Sequence, residues 1–392
     1  MRNVRLAVPL AFINSLFFPC VTWLFFFSQH LNYQQIATIM GIGAFVSLVA
    51  EVPTGVFADL VGRKWAIALS NLVFTIAMIG TAYATTYWAF LLVTVLNALV
   101  NALYSGSMEA LLYDSLKSEG KAHIFDYWVS RTEAMAWVAL FVSTVVGGYL
   151  YTIHPTFPYW IQAIVTTIGF WLSLALVEPR LDSHRYHWKE IVQNNLVGVQ
   201  ELWRARRLRT WILPLIVLGL GYYVAADILG LSQLREYGLG TNQAGWIFGV
   251  GFIISAGMAH FYPALRAKLG AGRLIWIAGA VMLLSLLGAK WVGASAGILL
   301  IMMRISSSTT FRNSRSVVVN AEIESKNRAT TLSTLNLLTM LPYALLAGWI
   351  GGYIDRTSPN QFAWVMGVGI TALLALMGIR NWWARKYMLT PP

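Results

Sequence analysis

Four carboxylates lie inside apolar stretches of this 392-residue chain, where a charged group is costly to bury. In order of promise they are Asp227, Glu109, Glu51 and Glu133. Ionisable residues at membrane depth usually face a cavity, a partner or a solute pathway. A carboxylate that gains and loses a proton near neutral pH can couple the movement of a solute to that of a proton. These side chains are therefore the candidates for a proton-exchange site.

Arginines occupy similar apolar surroundings, and they suggest recognition of an anion. Arg304, Arg312 and Arg315 follow one another on a single predicted helix, where their guanidinium groups could bind a carboxylate or a phosphate. Arg131, close to Glu133 in sequence, either lines a pathway or extends to the membrane interface.

Two pairs of opposite charges are predicted from their depth along the long apolar stretches, which are read as membrane spans and numbered in chain order. Asp227 and Arg304 both fall well inside the hydrocarbon region by residue count, so mutual pairing would lower the cost of burying each charge. Glu109 and Arg312 lie at corresponding depths in opposite halves of the chain, so we expect them to form a cytoplasmic gate.

Two predicted helices carry polar or small residues at every fourth position, a spacing that keeps them near one face. The second span carries Ser47, Glu51, Gly55 and Asp59, and the fourth carries Asn97, Asn101, Ser105, Glu109 and Tyr113. Such a stripe either lines a cavity or bonds to a neighbouring helix, and the sequence leaves both open. Tyr223 and Tyr343 are candidates for aromatic contact with an organic substrate.

A short turn between two apolar stretches has the pattern Gly55-x-x-x-Asp59-x-x-Gly62-Arg63-Lys64. It resembles the loop that joins transmembrane helices 2 and 3 in the major facilitator superfamily of transporters. The resemblance implies that the turn is a conformational latch, in which Asp59 contacts the start of the eleventh span near residues 327–330. A carboxylate there would meet the positive end of a helix dipole and its free N–H groups.

The composition, with 57% hydrophobic and 11% charged residues, excludes an ordinary soluble domain. A helix needs about 20 apolar residues to cross the hydrocarbon core. Twelve stretches qualify, at 6–28, 35–58, 65–83, 87–112, 126–150, 158–177, 210–233, 242–265, 273–290, 293–317, 328–353 and 360–380. Basic residues of the loops and tails are split 21 against 3 between the two faces, which predicts that both termini are cytoplasmic. The net charge of +12 therefore indicates contact with anionic lipid, not nucleic acid.

The only long polar stretch, 178–209, divides the chain into an N-terminal bundle, 1–177, and a C-terminal bundle, 210–392. Gly147-Gly148-Tyr149 and Gly351-Gly352-Tyr353 stand at equivalent places in the two halves, which indicates an internal repeat. The predicted fold is an all-α integral membrane protein with twelve transmembrane helices in two pseudo-symmetric six-helix bundles, the architecture of the family it resembles.

These patterns predict a secondary transporter of the plasma (inner) membrane that works by alternating access. Proton-coupled export of an amphipathic, drug-like molecule, as an antiporter, comes first; uptake of an organic anion by the buried arginines comes second. A non-transporting membrane receptor or scaffold is the alternative of another class. Proton-coupled drug exporters usually have an Arg-Gly pattern in span four, where Asn97 and Asn101 stand here. No enzyme, metal site or cofactor is expected, other than H+ as a coupling ion.

Overall fold

The computed structural model describes residues 2–178, 208–323 and 328–388, and every regular element within those ranges is helical. Twelve helical stretches in them are long and apolar enough to cross a membrane, which confirms the predicted fold class. Helices suit this setting because they satisfy every backbone N–H and C=O group internally. The predicted linker at 178–209 lies almost wholly outside the described residues.

The helices of the first half of the chain are α1 Arg2–Ser15, α2 Trp23–Phe27, α3 Tyr33–Val61, α4 Arg63–Tyr83, α5 Tyr87–Tyr104, α6 Ser107–Ser118, α7 Phe125–Ile153 and α8 Phe157–Leu174. Those of the second half are α9 Arg209–Val224, the π-helical segment Ala225–Leu229, α10 Gly230–Glu236, α11 Thr241–Leu269, α12 Ala271–Gly288, α13 Ala294–Glu322, α14 Arg328–Arg356 and α15 Pro359–Met388.

The chain groups into two compact units. Unit 1 comprises Met1–Gln193, Gly238–Ala256 and Ala344–Gly352. Unit 2 comprises Asn194–Tyr237, Gly257–Tyr343 and Tyr353–Pro392. Unit 1 therefore includes one end of α11 and a short stretch of α14 along with the first eight helices.

Three of the predicted spans are not continuous α-helices. The first is interrupted between α1 and α2 by a 3-10 turn, Phe18–Val21. The fourth is broken at Ser105 and Gly106, where Gly106 adopts a left-handed conformation with φ of 71°. The seventh contains the π-helical segment. The hydrophobic pattern gives the length of a span, but it does not reveal such interruptions.

Side chains of α7 and α8 satisfy the backbone groups that the first interruption exposes. Gln162 accepts a hydrogen bond from the Phe18 N–H at 2.9 Å and donates to the Leu16 carbonyl at 2.9 Å. The hydroxyl of Ser143 accepts from the Phe17 N–H at 3.0 Å. In a membrane an unsatisfied backbone group is expensive, so these two buried side chains make the break tolerable.

Within unit 1, the repeated glycine pairs lie where two backbones approach closely. A Cβ at Gly148 would meet the carbonyl of Thr241, and one at Gly351 would meet the carbonyl of Tyr33. The Thr241 hydroxyl also donates to the Gly148 carbonyl at 2.9 Å. Each glycine therefore stands at the end of one helix against the start of another, and only a residue without a side chain allows that approach.

The end of α8 is attached to the start of α1 by one asparagine. Asn3 donates to the Val177 carbonyl at 2.6 Å and accepts from the Val177 N–H at 2.9 Å. Its amide also donates to the Ser115 hydroxyl at 2.8 Å. An apolar cluster lies beside it, formed by Val4, Ala7, Leu10, Ile67, Met108, Leu111, Leu112, Leu116 and Leu176. This packing fixes the helix ends that surround the motif turn.

In unit 2, helices α9, α12 and α13 are joined through Tyr222. Its hydroxyl donates to the Ala278 carbonyl at 2.7 Å and shares a hydrogen bond with Ser307 at 2.9 Å. Its ring lies 5.0 Å from that of Phe311, centroid to centroid. These contacts hold the part of α9 that leads into the π-helical segment.

Candidate functional site

Asp227 lies in the π-helical segment Ala225–Leu229, in the middle of the seventh span. A π turn is rare and often marks a functional position, because the additional residue changes the direction in which its side chains point. The neighbours Ala225, Ile228 and Leu229 are all buried. Asp227, the first candidate for the proton-exchange site, therefore lies on irregular backbone among apolar neighbours.

Tyr343 of α14 is the hydrogen-bond partner of this carboxylate. Its hydroxyl donates to Oδ2 of Asp227, and the tyrosine side chain is fully buried. The ring of Tyr223 lies beside it, with the two ring centroids 5.0 Å apart. Asp227, Tyr223 and Tyr343 thus form one group, which we call the Asp227 cluster. All three residues are candidates from the sequence, which does not predict that they contact one another.

Arg304 does not pair with Asp227, so the predicted ion pair is wrong. The guanidinium Nη2 donates to Oε1 of Gln233 at 2.8 Å, whereas the described partner of Asp227 is Tyr343. Depth along the membrane, which residue counting estimates, does not determine which way a side chain points around its helix. Arg304 is therefore hydrogen-bonded to the neutral amide of Gln233, and not to the carboxylate of Asp227.

Arg312 and Arg315 lie further along α13. Arg315 donates through Nη2 to Oδ1 of Asn336 at 2.7 Å, and its Nε is buried without a hydrogen-bond partner. Arg312 is exposed. No carboxylate in the described part of the chain forms a salt bridge with either group. These two cations are therefore available to an anion.

Unit 1 contains a separate cleft of about 270 Å³ between α3 and the broken fourth span. It is lined by Glu51, Thr54, Gly55, Ala58, Asp59, Arg63, Ala102, Ser105, Gly106, Ser107 and Ala110. The Thr54 hydroxyl donates to the Ala102 carbonyl at 3.0 Å, close to the break in the fourth span. Two predicted carboxylates and the motif arginine therefore share one concave surface.

The polar stripe of the fourth span is interrupted by the break at Gly106. Asn97 and Asn101 belong to α5, while Glu109 lies in the first turn of α6. Asn101 and Glu109 are exposed, and Asn97 is half-buried with its Oδ1 lacking a partner. The expected gate between Glu109 and Arg312 joins residues of different units, and it stays a prediction.

The motif turn forms a compact ionic arrangement at the start of α4. Gly62 has φ of 114°, a conformation that favours glycine. The side chain of Arg63 forms an ion pair with Asp114 of the fourth span. The carboxylate of Glu178 accepts hydrogen bonds from the backbone N–H groups of Arg63 at 3.0 Å and Lys64 at 2.9 Å. An anion at this place satisfies free N–H groups and matches the positive end of the helix dipole.

Asp59 is half-buried one turn before Gly62. Burial raises the pKa of its carboxyl group above the ordinary value of 3.8; nearby Arg63 opposes that rise and the charge of Asp114 adds to it. The contact expected near residues 327–330 falls outside the described residues and side chains. Its latch role therefore stays a prediction.

Arg131 and Glu133 are both exposed on α7. Arg131 donates through Nη1 to the hydroxyl of Tyr127 at 2.6 Å, and its guanidinium lies 5.2 Å from the centroid of that ring. A partner one helical turn away on the same helix fits a cation held at an interface. Glu133 has no comparable contact in the structure as described.

Sequence reasoning missed Asp114, Glu178, Gln233 and Asn336, the partners of the motif turn and of the arginines. Gln233 carried a signal, because an amide at the end of an apolar span needs partners of its own. Glu178 and Asp114 stand at span ends, where acidic residues are common. Only the fold shows that they meet the turn at 62–64.

The layout of the chain and its motif turn agree with comparisons to known proteins. The family model described as Major Facilitator Superfamily matches residues 6–321. The chain belongs to the major facilitator superfamily. It is therefore a secondary transporter and a multi-pass integral membrane protein, not an enzyme.

Individual relatives are distant. The uncharacterized transporter YxaM of Bacillus subtilis (strain 168) is 22% identical over 232 residues, which cover 58% of this chain and 57% of that protein. Lactose permease of Klebsiella oxytoca is 21% identical over 364 residues, with 86% and 84% covered.

Solved structures show the same fold at low identity. The nucleoside transporter NupG has a TM-score of 0.77 at 16% identity, with 97% of this chain and 99% of that one covered. A D-xylose-proton symporter has a TM-score of 0.62 at 13% identity, with 95% and 94% covered.

Proposed function

We propose that this superfamily member is a proton-coupled transporter of a small organic molecule, with Asp227 as the group that exchanges the proton. The hydrogen bond between Asp227 and the buried hydroxyl of Tyr343 carries the proposal. A carboxylate with a neutral partner can take up a proton without breaking an ion pair. An ion-paired carboxylate would have to give up its cation in the same step.

For direction, we propose uptake by symport with the proton. Three of the similar proteins are named for solutes, which are lactose, a nucleoside and D-xylose, and one of them is called a proton symporter. The export predicted first from sequence is the competing direction. The absence of the Arg-Gly pattern of drug exporters at Asn97 and Asn101 weighs against export.

In this mechanism, protonation of Asp227 removes a buried charge and lowers the cost of moving the cluster between differently hydrated states. The ring of Tyr223, which is half-buried beside the fully buried Tyr343, suits stacking against a sugar or nucleoside ring. The transporter then changes access from one side of the membrane to the other. We assign Asp59, Arg63 and Lys64, with Gly55 and Gly62, to the latch that restrains this change.

A second candidate is transport of an organic anion. Arg312 is exposed and Arg315 has a buried Nε without a partner, three residues further along α13. Two unneutralised guanidinium groups on one helix would attract a carboxylate or phosphate. Asp227 would exchange the proton in this case too, so the two proposed functions differ only in the solute that is transported.

We further propose that the protein lies in the inner membrane with both termini in the cytoplasm. The 21-to-3 distribution of basic residues supports this orientation and contact with anionic lipid at that face. The division into bundles at 1–177 and 210–392, joined by 178–209, belongs to the same proposal.

Proteoliposomes loaded with a pH-sensitive dye test the function. Lactose, D-xylose, uridine and a dipeptide are added outside in turn, and proton entry is followed as acidification of the lumen. We expect acidification with at least one uncharged solute, and none with the Asp227→Asn variant. Entry of radiolabelled solute without proton movement would contradict proton coupling. Lumen alkalinisation on solute entry would favour antiport.

A further inference from the structure

Arg304 is a buried cation that the proposed mechanism does not use. Its side chain is 3% exposed on α13, and Nη1 has no hydrogen-bond partner. Only Nη2 is engaged, by the neutral amide of Gln233 at 2.8 Å. A charge this deeply buried normally has a counter-charge and a full set of hydrogen bonds.

Gln233 is connected to the carboxylate of Glu236 by two hydrogen bonds through Asn360. Its Nε2 donates to Oδ1 of Asn360 at 2.9 Å, and the N–H of Asn360 donates to Oε2 of Glu236 at 2.8 Å. Glu236 therefore lies at the far end of a chain of two amides. It forms no salt bridge with Arg304, so the guanidinium charge has no direct partner among the described residues.

Two phenol groups contact α13 on either side of Arg304 along the helix. The hydroxyl of Tyr222 is already hydrogen-bonded to Ala278 and Ser307. The hydroxyl of Tyr237 lies directly against Gly297, which stands two helical turns before Arg304 on α13. Gly297 leaves space for this phenol that any larger residue would fill. The Tyr237 hydroxyl and Nη1 of Arg304 are thus both buried without a hydrogen-bond partner, and the nearest carboxylate described along this network, Glu236, lies at the end of the amide chain.

We propose that a compact monovalent anion, such as chloride, binds Arg304 at Nη1 inside unit 2. Such an ion neutralises the guanidinium and supplies the missing hydrogen-bond acceptor. The near-complete burial of Arg304 favours a small free ion over a group attached to a bulky solute. This site is separate from the Asp227 cluster and from Arg312 and Arg315.

The test is the thermal midpoint of the full-length purified protein in detergent, with chloride replacing gluconate at constant ionic strength. A ligand bound by the folded state stabilises it with a saturable dependence on concentration. We expect a saturable rise of about 2–4 °C for the wild-type protein. The same titration on Arg266→Gln, an exposed arginine, controls for surface charge and should give the same rise.

Two variants locate the effect. Arg304→Gln should lose the chloride response. Should it fail to fold, Gln233→Glu gives an independent answer, because it places a carboxylate next to Nη2 and supplies the counter-charge internally. We expect Gln233→Glu to be at least as stable in gluconate as the wild type is, with no rise in chloride. A wild-type midpoint that does not depend on chloride would overturn the proposal, as would an unchanged chloride response in Gln233→Glu.

Discussion

The Tyr343 hydroxyl donates a hydrogen bond to the carboxylate of Asp227, joining α14 to the π-helical turn of the seventh span. The Tyr343 side chain is fully buried within unit 2, and the ring of Tyr223 packs against its ring. A hydrogen bond to a charged group contributes about 1.5–3 kcal/mol, so this contact is strong enough to affect proton exchange.

Removal of that donor tests the contact. We expect Tyr343→Phe to lower the rate of proton-coupled solute entry by about tenfold or more, because 1.4 kcal/mol corresponds to a factor of ten. Tyr223→Phe keeps the same ring stacking, so its rate of proton-coupled solute entry should fall much less. Rates are measured in proteoliposomes under a fixed pH gradient. Equal losses in the two variants would show that the hydroxyl of Tyr343 has no particular role.

Glu178 is expected to stabilise the start of α4. Glu178→Gln removes the anionic cap from the Arg63 and Lys64 N–H groups, at a cost of about 0.5–2 kcal/mol. The control is Glu119→Gln, a surface carboxylate 3.6 Å from Lys121, where little change is expected. Denaturant unfolding followed by tryptophan fluorescence measures both. A midpoint equal to that of the control would mean that the cap contributes nothing.

How far the sequence predicts this molecule depends on the kind of feature. The twelve spans and the motif turn were predictable, because each depends only on residues that are close in sequence: an apolar stretch of sufficient length, or the fixed pattern at 55–64. The pairing of Asp227 was not, since its partner comes from α14 and its direction depends on a π turn. The proposed Asp227–Arg304 pair was wrong for that reason: depth can be counted along a sequence, but rotation about the helix axis follows from packing.

The stability of the motif turn should depend on pH through Asp59. Its pKa is raised in the folded protein, chiefly by burial, so the folded state binds the proton more tightly than the unfolded state does. The stability that this proton provides is complete below the unfolded pKa and is lost as the pH rises through the folded pKa. Asp59→Asn should therefore raise the thermal midpoint at pH 7.5. The difference should shrink as the pH approaches 4, and a constant difference from pH 4 to 7.5 would contradict the assignment.

The glycine contacts within unit 1 should be sensitive to a single methyl group. Gly351→Ala would place a Cβ against the backbone carbonyl of Tyr33, which cannot move aside cheaply, and we expect destabilisation of about 1–3 kcal/mol. Gly378→Ala has open space around the added methyl group, so it should be neutral or stabilising by up to about 1 kcal/mol. Thermal midpoints in detergent compare the two. A Gly351→Ala protein as stable as the control would mean that this contact is not close in solution.

The Asp227→Asn variant, assayed in proteoliposomes, shows whether Asp227 exchanges the coupling proton. The solute is whichever of lactose, D-xylose, uridine or the dipeptide drives proton entry with the wild-type protein. Accumulation against a gradient and one-for-one exchange of labelled for unlabelled solute are measured side by side. We predict that the variant loses accumulation while it keeps exchange, because exchange requires solute binding and a change of access but no release of the proton. Accumulation at the wild-type level would show that Asp227 does not exchange the coupling proton.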